Sequence, residues 1–447
     1  MKQFETAESI TLDNLNQKKK KYQKSDLHKV TRHALANNSI ASVANNLDNA
    51  KENNFTFSID IKTMTAPNQK ASGRCWIFAA CNVLREMIGK ELGIKNFELS
   101  QSYVAFYDRL EKINYLLESV IDFVEAEHDE RTLYFLLENG IGDGGQWDMF
   151  VNIIKKYGIC PKQAMPETFQ SSNTGQSNML INFEIRKFAG KAQKLYKEKG
   201  IEAVRKEKEQ LLDRFYTLLL DCYGVPVEKF DFEYRDKDDN YQIIKDLTPK
   251  SFFEKFIGSK IDDYVSIINA PTKDKPFYHI FTISYLGNVL EGKPITHLNV
   301  PMNRFIELTI NQLKDGEVCW FGCDCSRYSD RPGAIWDDKS WDYATPWGLD
   351  YAISKEDGLD YKASVMNHAM VISGVDLKDD KPIKWKIENS WGTDGPFSGY
   401  HVMSNSWFEK YTYQVVINKK YLNKKELKAL EEDLIVLKPW DPMGTLA

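Results

Sequence analysis

Three residues far apart in the chain have the types that nucleophilic catalysis needs: Cys75, His368 and Asn389. A cysteine thiolate attacks a carbonyl carbon, an imidazole accepts and returns the proton, and a carboxamide holds the imidazole in one tautomer. A buried cysteine alone is most often a small apolar side chain, so the argument depends on its companions. Their order predicts a catalytic site that forms only when distant segments fold together.

The residues around Cys75 predict that it lies at the first turn of a buried helix. The turn-forming pair Ser72-Gly73 precedes it, and apolar residues from Trp76 to Met87 follow at helical spacing. Unpaired N–H groups and the positive end of the helix dipole stabilise a thiolate there, so we expect a lowered pKa for Cys75. Gln69 lies in the preceding loop, and its carboxamide together with a backbone N–H would form an oxyanion hole.

His368 is predicted to begin a strand, and Asn389 is predicted to follow another strand directly. His368 begins an apolar run that ends at Val375, and Asn389 directly follows the strand-like segment Trp385–Glu388. Trp391 belongs to the same Asn-Ser-Trp-Gly sequence and is expected to shield the hydrogen bond between the imidazole and the carboxamide from water. Folding would then place the base and its orienting amide beside the nucleophile.

Four short motifs surround these residues: Ser72–Trp76, Met366–Met370, Glu388–Gly392 and the ending Trp440–Ala447. In this order they resemble the papain-like cysteine peptidases and, more narrowly, the branch of bleomycin hydrolase and bacterial aminopeptidase C. The likeness runs from about residue 55 to the last residue. It implies an α+β fold of two lobes, one helical and one an antiparallel, β-barrel-like sheet, enlarged by a helical insertion.

The separation of the catalytic residues predicts where the insertion lies. In ordinary papain-like enzymes the histidine follows the cysteine by roughly 130–150 residues. Here Cys75 and His368 are 293 positions apart, and a charged, amphipathic helical pattern fills the difference. The predicted divisions are an N-terminal helical extension (1–55), a helical lobe with the nucleophile (56–165), a helical insertion (166–270), a β-rich lobe with the histidine and asparagine (271–437) and a C-terminal arm (438–447).

A glycine-dense segment from Asn139 to Trp147 contains Gly144 and Gly145. Glycines allow turns with positive φ, and they also let another backbone approach closely. No Gly-Lys-Ser/Thr follows, which argues against a phosphate-binding loop. The resemblance implies that Gly144 and Gly145 form a wall of the peptide-binding cleft.

The C-terminal residues from Trp440 to Ala447 are suited to packing, although chain ends are usually loose. The resemblance implies that this arm lies in the active-site cleft. The terminal carboxylate of Ala447 would attract the α-ammonium of a substrate and block longer N-terminal extensions. Peptides with a free N-terminus are therefore the expected substrates.

Composition narrows the possible functions. A formal net charge of -5 argues against a dedicated nucleic-acid binder, and the first residues lack the apolar core of a signal peptide. No apolar run is long enough to span a membrane. Seven cysteines without an export signal indicate reduced thiols and a cytoplasmic location. Cys319, Cys323 and Cys325 match no common zinc spacing, so we expect neither a metal nor another cofactor.

The N-terminal extension is predicted to begin with helices at Ile10–Gln23 and Asp26–Ala36. The first contains the basic block Lys18–Lys21. A solvated helix face is the ordinary explanation of such a block, and a patch for nucleic acid or another partner is the alternative.

These observations favour a cytosolic cysteine aminopeptidase, which the family resemblance implies is a homo-oligomer, most specifically a hexamer. An endopeptidase of the same family would share the site but place the arm differently. A transglutaminase-like acyl transferase would carry aspartate where this chain has Asn389. A non-enzymatic nucleic-acid-binding protein would bind in a salt-sensitive manner without Cys75.

Overall fold

Short polar side chains begin the N-terminal helices. Thr11, Ser25 and Ser39 each accept a hydrogen bond from a backbone N–H in the first turn that follows. The computed structural model describes residues 7–350 and 352–446. The first helices are α1 (Leu12–Gln23), α2 (Asp26–Leu35), α3 (Ile40–Ala44) and α4 (Asn49–Glu52). The two helices predicted for this extension are thus confirmed, with small shifts at their ends.

A run of helices occupies the middle of the chain, and two of them pack against the helix that begins at Cys75. The run consists of α5 (Cys75–Leu92), α6 (Gln101–Asp122), α7 (Arg131–Asn139), α8 (Trp147–Tyr157), α9 (Gly175–Lys199), α10 (Ile201–Tyr223) and α11 (Pro249–Phe256). Local sequence explains their starts: Ser100 caps α6, and a capping box at Thr248 followed by Pro249 begins α11. None of the helices in the described part of the chain is long and apolar enough to cross a membrane.

Further helices lie between the strands of the second half. They are α12 (Met302–Lys314), α13 (Ala344–Trp347), α14 (Lys355–Asp360), α15 (Asn405–Tyr411) and α16 (Lys424–Ala429). Short 3-10 turns are found at Gly258–Asp263, Lys419–Tyr421 and Pro442–Gly444.

The strands of the described residues form one large sheet and one separate hairpin. They are β1 (Ile59–Asp60), β2 (Phe230–Arg235), β3 (Tyr241–Leu247), β4 (Tyr264–Ile268), β5 (Ile280–Ile283), β6 (His297–Asn299), β7 (Cys319–Cys323), β8 (Ser329–Asp330), β9 (Ile335–Trp336), β10 (His368–Lys378), β11 (Lys381–Glu388), β12 (Tyr400–Ser404), β13 (Thr412–Asn418) and β14 (Ile435–Leu437). The large sheet has the order β14-β5-β6-β4-β13-β7-β10-β11-β12-β9-β8, and β1 pairs with β10.

The α+β class is as expected, but the sheet differs in detail from an antiparallel, barrel-like lobe. The pairs β4–β6, β5–β14 and β9–β12 are parallel. Over the described strands the order has two ends and does not close on itself. The parallel pairs arise because helices or long connections return the chain to the sheet, and such crossovers cannot be seen in local patterns.

The segment predicted as a helical insertion contains α9, α10 and α11, together with the hairpin of β2 and β3. Phe232 of β2 is buried and packs against Phe97 and Phe252. The strand β4, within the same segment, pairs with β13 in the large sheet. The inserted residues are therefore joined to the core by both side-chain packing and backbone hydrogen bonds.

A buried ion pair connects the nucleophile helix to the sheet. Arg85 of α5 donates to the Glu388 carboxylate at 2.8 Å, and both side chains are 0% exposed. Asn82, one turn earlier on α5, donates to the same carboxylate oxygen at 2.7 Å. Burial raises the pKa of Glu388, while the Arg85 charge acts in the opposite direction. Because Glu388 ends β11, these contacts set the position of α5 relative to the strand that leads into Asn389.

The first prediction concerns this pair. Glu388→Gln leaves the Arg85 guanidinium buried without a counter-charge, so we expect a loss of about 3 kcal/mol in the free energy of unfolding. Replacing both partners with apolar residues, Arg85→Met with Glu388→Leu, should restore much of that loss. Urea unfolding followed by circular dichroism measures both changes.

The matched control is the exposed pair of Lys187 and Glu184, in which Lys187→Met should change the unfolding free energy by less than about 1 kcal/mol. Equal effects of Glu388→Gln and Lys187→Met would show that the buried pair does not hold the two elements together.

Candidate active site

Cys75 is the first residue of α5 and is 2% exposed. The backbone N–H of Ala369 lies close enough to the Cys75 sulfur to act on the pKa of the thiol. Ala369 follows His368 directly, and His368 is the first residue of β10, which packs against α5. The structure therefore brings the sequence-predicted nucleophile and base to one place.

The expected lowering of the Cys75 pKa is not observed. Burial raises the pKa of Cys75 to about 11, and the N–H groups of Ala369, Trp76 and Cys75 itself offset only part of that effect. Desolvation outweighs the helix-start N–H groups because the thiol is almost fully enclosed. Burial also lowers the pKa of His368 to about 4, against the opposing effect of its hydrogen bond to Asn389. Burial thus disfavours the charged form of each group taken alone.

The His368 ring is held through its Nε2 atom. Nε2 lies 2.9 Å from Oδ1 of Asn389, and the backbone N–H of Ser390 donates to the same Oδ1 at 2.8 Å. Because the Ser390 donor identifies Oδ1 as the acceptor, Nε2 carries the proton and Nδ1 is left with its lone pair. Trp391 stacks on the ring with centroids 5.1 Å apart. The carboxamide thus selects the tautomer that leaves Nδ1 able to accept a proton.

Gln69 is buried and its carboxamide is fixed at both ends. Its Nε2 donates to the carbonyl of Ser72 at 2.6 Å, and its Oε1 accepts from Oγ of Ser390 at 2.6 Å. The Gln69 backbone N–H donates to the carbonyl of Ser390 at 2.8 Å. One Nε2 hydrogen is used by Ser72, so the second can donate to a bound oxygen.

Gly144 and Gly145 lie in a loop that packs on the start of α5. The carbonyl of Gly144 accepts from Lys112 at 2.6 Å, and the indole N–H of Trp76 donates to the Asp143 carbonyl at 2.6 Å. A Cβ on Gly145 would stand 2.5 Å from the Trp76 ring, so only glycine fits. The loop therefore lies beside Cys75, because it contacts Trp76, the next residue in the chain.

Asp143 joins this loop to the segment before Cys75. Its carboxylate accepts from the backbone N–H of Gly73 at 2.8 Å and pairs with Arg109. Burial acts to raise the pKa of Asp143, but the charge of Arg109 and several hydrogen bonds hold it well below its usual value. Sequence reasoning did not identify Asp143, although its place in the glycine-dense segment was the available signal. Ser390 was also missed, despite lying between the singled-out Asn389 and Trp391.

The C-terminal arm lies against the same loop. Gln146, which follows Gly145, donates from Nε2 to the carbonyl of Thr445 at 2.8 Å. Asp441 pairs with Lys275 at 2.9 Å, and Met443 is buried. Ala447, the residue expected to present a carboxylate to substrate, lies outside the described residues.

A buried cysteine at a helix start, an imidazole held by an asparagine and an oriented glutamine form the arrangement that a papain-like cysteine peptidase uses. The Peptidase C1-like family matches residues 9–444. Aminopeptidase C of Lactobacillus delbrueckii subsp. lactis is 44% identical over 445 residues, covering 99% of each chain. Aminopeptidase C of Streptococcus thermophilus is 46% identical over 398 residues, covering 89% of each.

A solved structure shows the same fold. The crystal structure of PepW from Lactobacillus rhamnosis HN001 superposes with a TM-score of 0.96 at 45% identity, covering 98% of this chain and 99% of that one. The chain belongs to the Peptidase C1-like family. Its resemblance to the aminopeptidase C branch of the papain-like peptidases is confirmed, and the protein is a cysteine-type peptidase.

The second prediction concerns acid stability. Burial lowers the pKa of His297, His368 and His401 to about 4, whereas unfolded histidines titrate near their ordinary value of about 6.5. The unfolded chain therefore binds protons first as the pH falls. These histidines should lower the free energy of unfolding by several kcal/mol between about pH 6.5 and about pH 4, partly offset by Glu86 and Asp148, whose pKa values burial raises to about 7 and about 6.

Denaturant unfolding at a series of pH values measures this dependence. His297 pairs through Nδ1 with Ser266 at 2.7 Å, away from the catalytic groups, so His297→Asn should reduce the slope by about a third. An unfolding free energy that stays constant over this pH interval would contradict the prediction.

Proposed function

We propose that the protein is a cytosolic cysteine aminopeptidase that removes N-terminal residues from peptides through Cys75, His368 and Asn389. The observation that carries the proposal is the fixed orientation of His368, whose Nε2 is held by Asn389 while Cys75 lies against Ala369. This geometry leaves Nδ1 of His368 as the proton acceptor on the side of the nucleophile.

Catalysis begins when Nδ1 of His368 accepts the thiol proton of Cys75. Since burial disfavours both charges separately, the thiolate and the imidazolium form together and stabilise each other. The thiolate attacks the substrate carbonyl carbon, and its oxygen becomes an oxyanion. Nε2 of Gln69 and the backbone N–H of Cys75, which has no acceptor one turn earlier in α5, donate to that oxygen.

Breakdown of this intermediate releases the leaving amine, which takes the proton from Nδ1 of His368. The acyl group remains on Cys75 as a thioester. A water molecule, deprotonated by the same imidazole, then attacks the thioester carbonyl, and the thiol is restored as the acid product leaves. Asn389 keeps the ring in one orientation through both proton transfers.

The position of the arm supports a preference for free N-termini. Thr445 is anchored to Gln146, directly after Gly144 and Gly145, which are the proposed wall of the cleft. The proposal assigns to the carboxylate of Ala447 the binding of the substrate's α-ammonium. The names of the relatives, aminopeptidases C, agree with this specificity.

A homo-oligomer, hexameric by family resemblance, and a cytoplasmic location complete the proposal. Phe169 and Phe183 are 77% and 66% exposed, and the proposal places them in contacts between subunits. All seven cysteines are free thiols, as expected in a reducing compartment.

The third prediction tests the catalytic roles. Cys75→Ala should abolish hydrolysis of an aminoacyl fluorogenic amide because no nucleophile remains. Gln69→Ala should lower kcat by about 100-fold through loss of one oxyanion donor, while the substrate concentration at half-saturation changes little. Steady-state kinetics measures both effects.

Cys222→Ser in α10 is the matched control, since Cys222 lies outside the site and should leave both activity and alkylation of Cys75 unaltered. Activity that survives Cys75→Ala would overturn the proposed function.

The fourth prediction tests the arm. Deleting Ala447 should reduce hydrolysis of substrates with a free N-terminus and permit hydrolysis of N-acetylated ones, because the terminal carboxylate moves back to Leu446 and the arm is one residue shorter. Gln146→Ala, which removes the anchor of Thr445, should have a smaller effect in the same direction. Initial rates on matched free and N-acetylated dipeptide amides measure the preference, and an unchanged ratio after deletion would favour the endopeptidase alternative.

A further inference from the structure

We propose that Arg331 is a specificity-determining residue that binds a carboxylate on the leaving-group side of the scissile bond. The inference rests on the proposed function and extends it to the part of the substrate that departs. The carboxylate has two possible sources, the C-terminus of a short peptide or the side chain of an acidic residue.

Arg331 is placed beside the catalytic base by one aromatic ring. Its guanidinium carbon lies 4.7 Å from the ring centroid of Trp391, and Trp391 stacks on His368 at 5.1 Å. Arg331 belongs to the turn between β8 and β9, and β9 pairs with β12 in the sheet that also contains β10 and β11. The cation is therefore held by the same framework as His368 and Asn389.

The direction of the substrate follows from the proton transfer. His368 must reach the departing amine, so the leaving part of the substrate lies on the side of the imidazole and Trp391. The N-terminal part lies toward the arm, where Thr445 is anchored to Gln146 beside the glycine loop. Arg331 thus borders the path of the departing residues and not that of the N-terminal residue.

Arg331 is an exposed residue and has no ion-pair partner among the described residues. The neighbouring carboxylate of Asp330 accepts instead from the backbone N–H of Gly333 at 3.2 Å. The charge of Arg331 also acts on the site. Burial is the main cause of the lowered pKa of His368, and the Arg331 charge lowers that pKa further. An unneutralised charge at this position attracts an anion.

The contact with Trp391 suits such a role. A guanidinium lying against an aromatic face keeps its N–H donors at the edge, and their fork matches a carboxylate in two parallel hydrogen bonds. The stack also limits the side chain to fewer positions, so less entropy is lost when an anion binds.

The test compares kcat/KM for two substrate pairs that differ only in charge on the leaving residue. Ala-Ala with a free C-terminus is compared with Ala-Ala amide, and Ala-Glu amide with Ala-Gln amide. The wild-type enzyme should prefer a charged member by about fivefold, the magnitude of an exposed ion pair, and Arg331→Gln should bring that ratio close to one. Raising the salt concentration should shrink the wild-type ratio.

Two variants act as controls. Arg331→Lys retains the charge but not the fork, so it should keep part of the preference. Arg235→Gln removes an exposed guanidinium on the distant β2–β3 hairpin and should leave the preference unchanged. Loss of the ratio for the first pair alone identifies a C-terminal carboxylate, and loss for the second alone identifies an acidic side chain; both outcomes support the proposal.

Unchanged ratios for both pairs in Arg331→Gln would overturn the role of Arg331 while leaving the peptidase proposal intact. Failure of the wild-type enzyme to cleave any of these substrates would overturn the proposed function and the inference with it.

Discussion

The buried contact between Arg85 and Glu388 is the constraint on which the catalytic geometry depends. Arg85 shares α5 with Cys75, and Glu388 directly precedes Asn389. Both charges are fully removed from water, which is unfavourable unless they meet in good geometry. Any sliding of α5 along the sheet would separate them and would also move the sulfur away from the imidazole. The pair therefore links correct docking of the two halves to correct assembly of the site.

The Asn-Ser-Trp-Gly segment, which follows Glu388 directly, connects the docked elements to the site through four neighbouring residues. Asn389 orients His368, Ser390 holds both the Asn389 amide and the Gln69 carboxamide, and Trp391 covers the imidazole. Gly392 has a φ of 85°, and a Cβ there would stand 2.5 Å from the Asn68 side chain. Each residue of this segment thus has a separate contact, and together they position His368 and Gln69, the proposed base and oxyanion donor.

Burial sets the electrostatic character of the site. A helix start favours a thiolate in water, yet Cys75 is enclosed so fully that desolvation reverses the sign of its pKa shift. Burial acts on His368 in the same sense, so neither group ionises alone. Transfer of one proton from Cys75 to His368 would place the two charges side by side, so that each would offset the burial of the other.

Local patterns were sufficient to predict much of the molecule. The helix beginning at Cys75, the strand beginning at His368 and the first two helices of the N-terminal extension all follow from short-range rules, and the structure contains each of them. The parallel strand pairs and the position of β4 in the large sheet did not follow, because pairing between distant strands depends on how the whole chain returns to the sheet.

The sequence by itself determined the chemical identity of the candidate site: which residues are present, their order, and the helix and strand starts that carry them. Only the tertiary structure decided which distant side chains are in contact and which groups are removed from solvent. Burial gave Cys75 a raised pKa, Ser390 and Asp143 joined segments far apart in the chain, and Arg331 came to lie against Trp391. Contacts of this kind arise from packing between distant elements, and no local pattern encodes them.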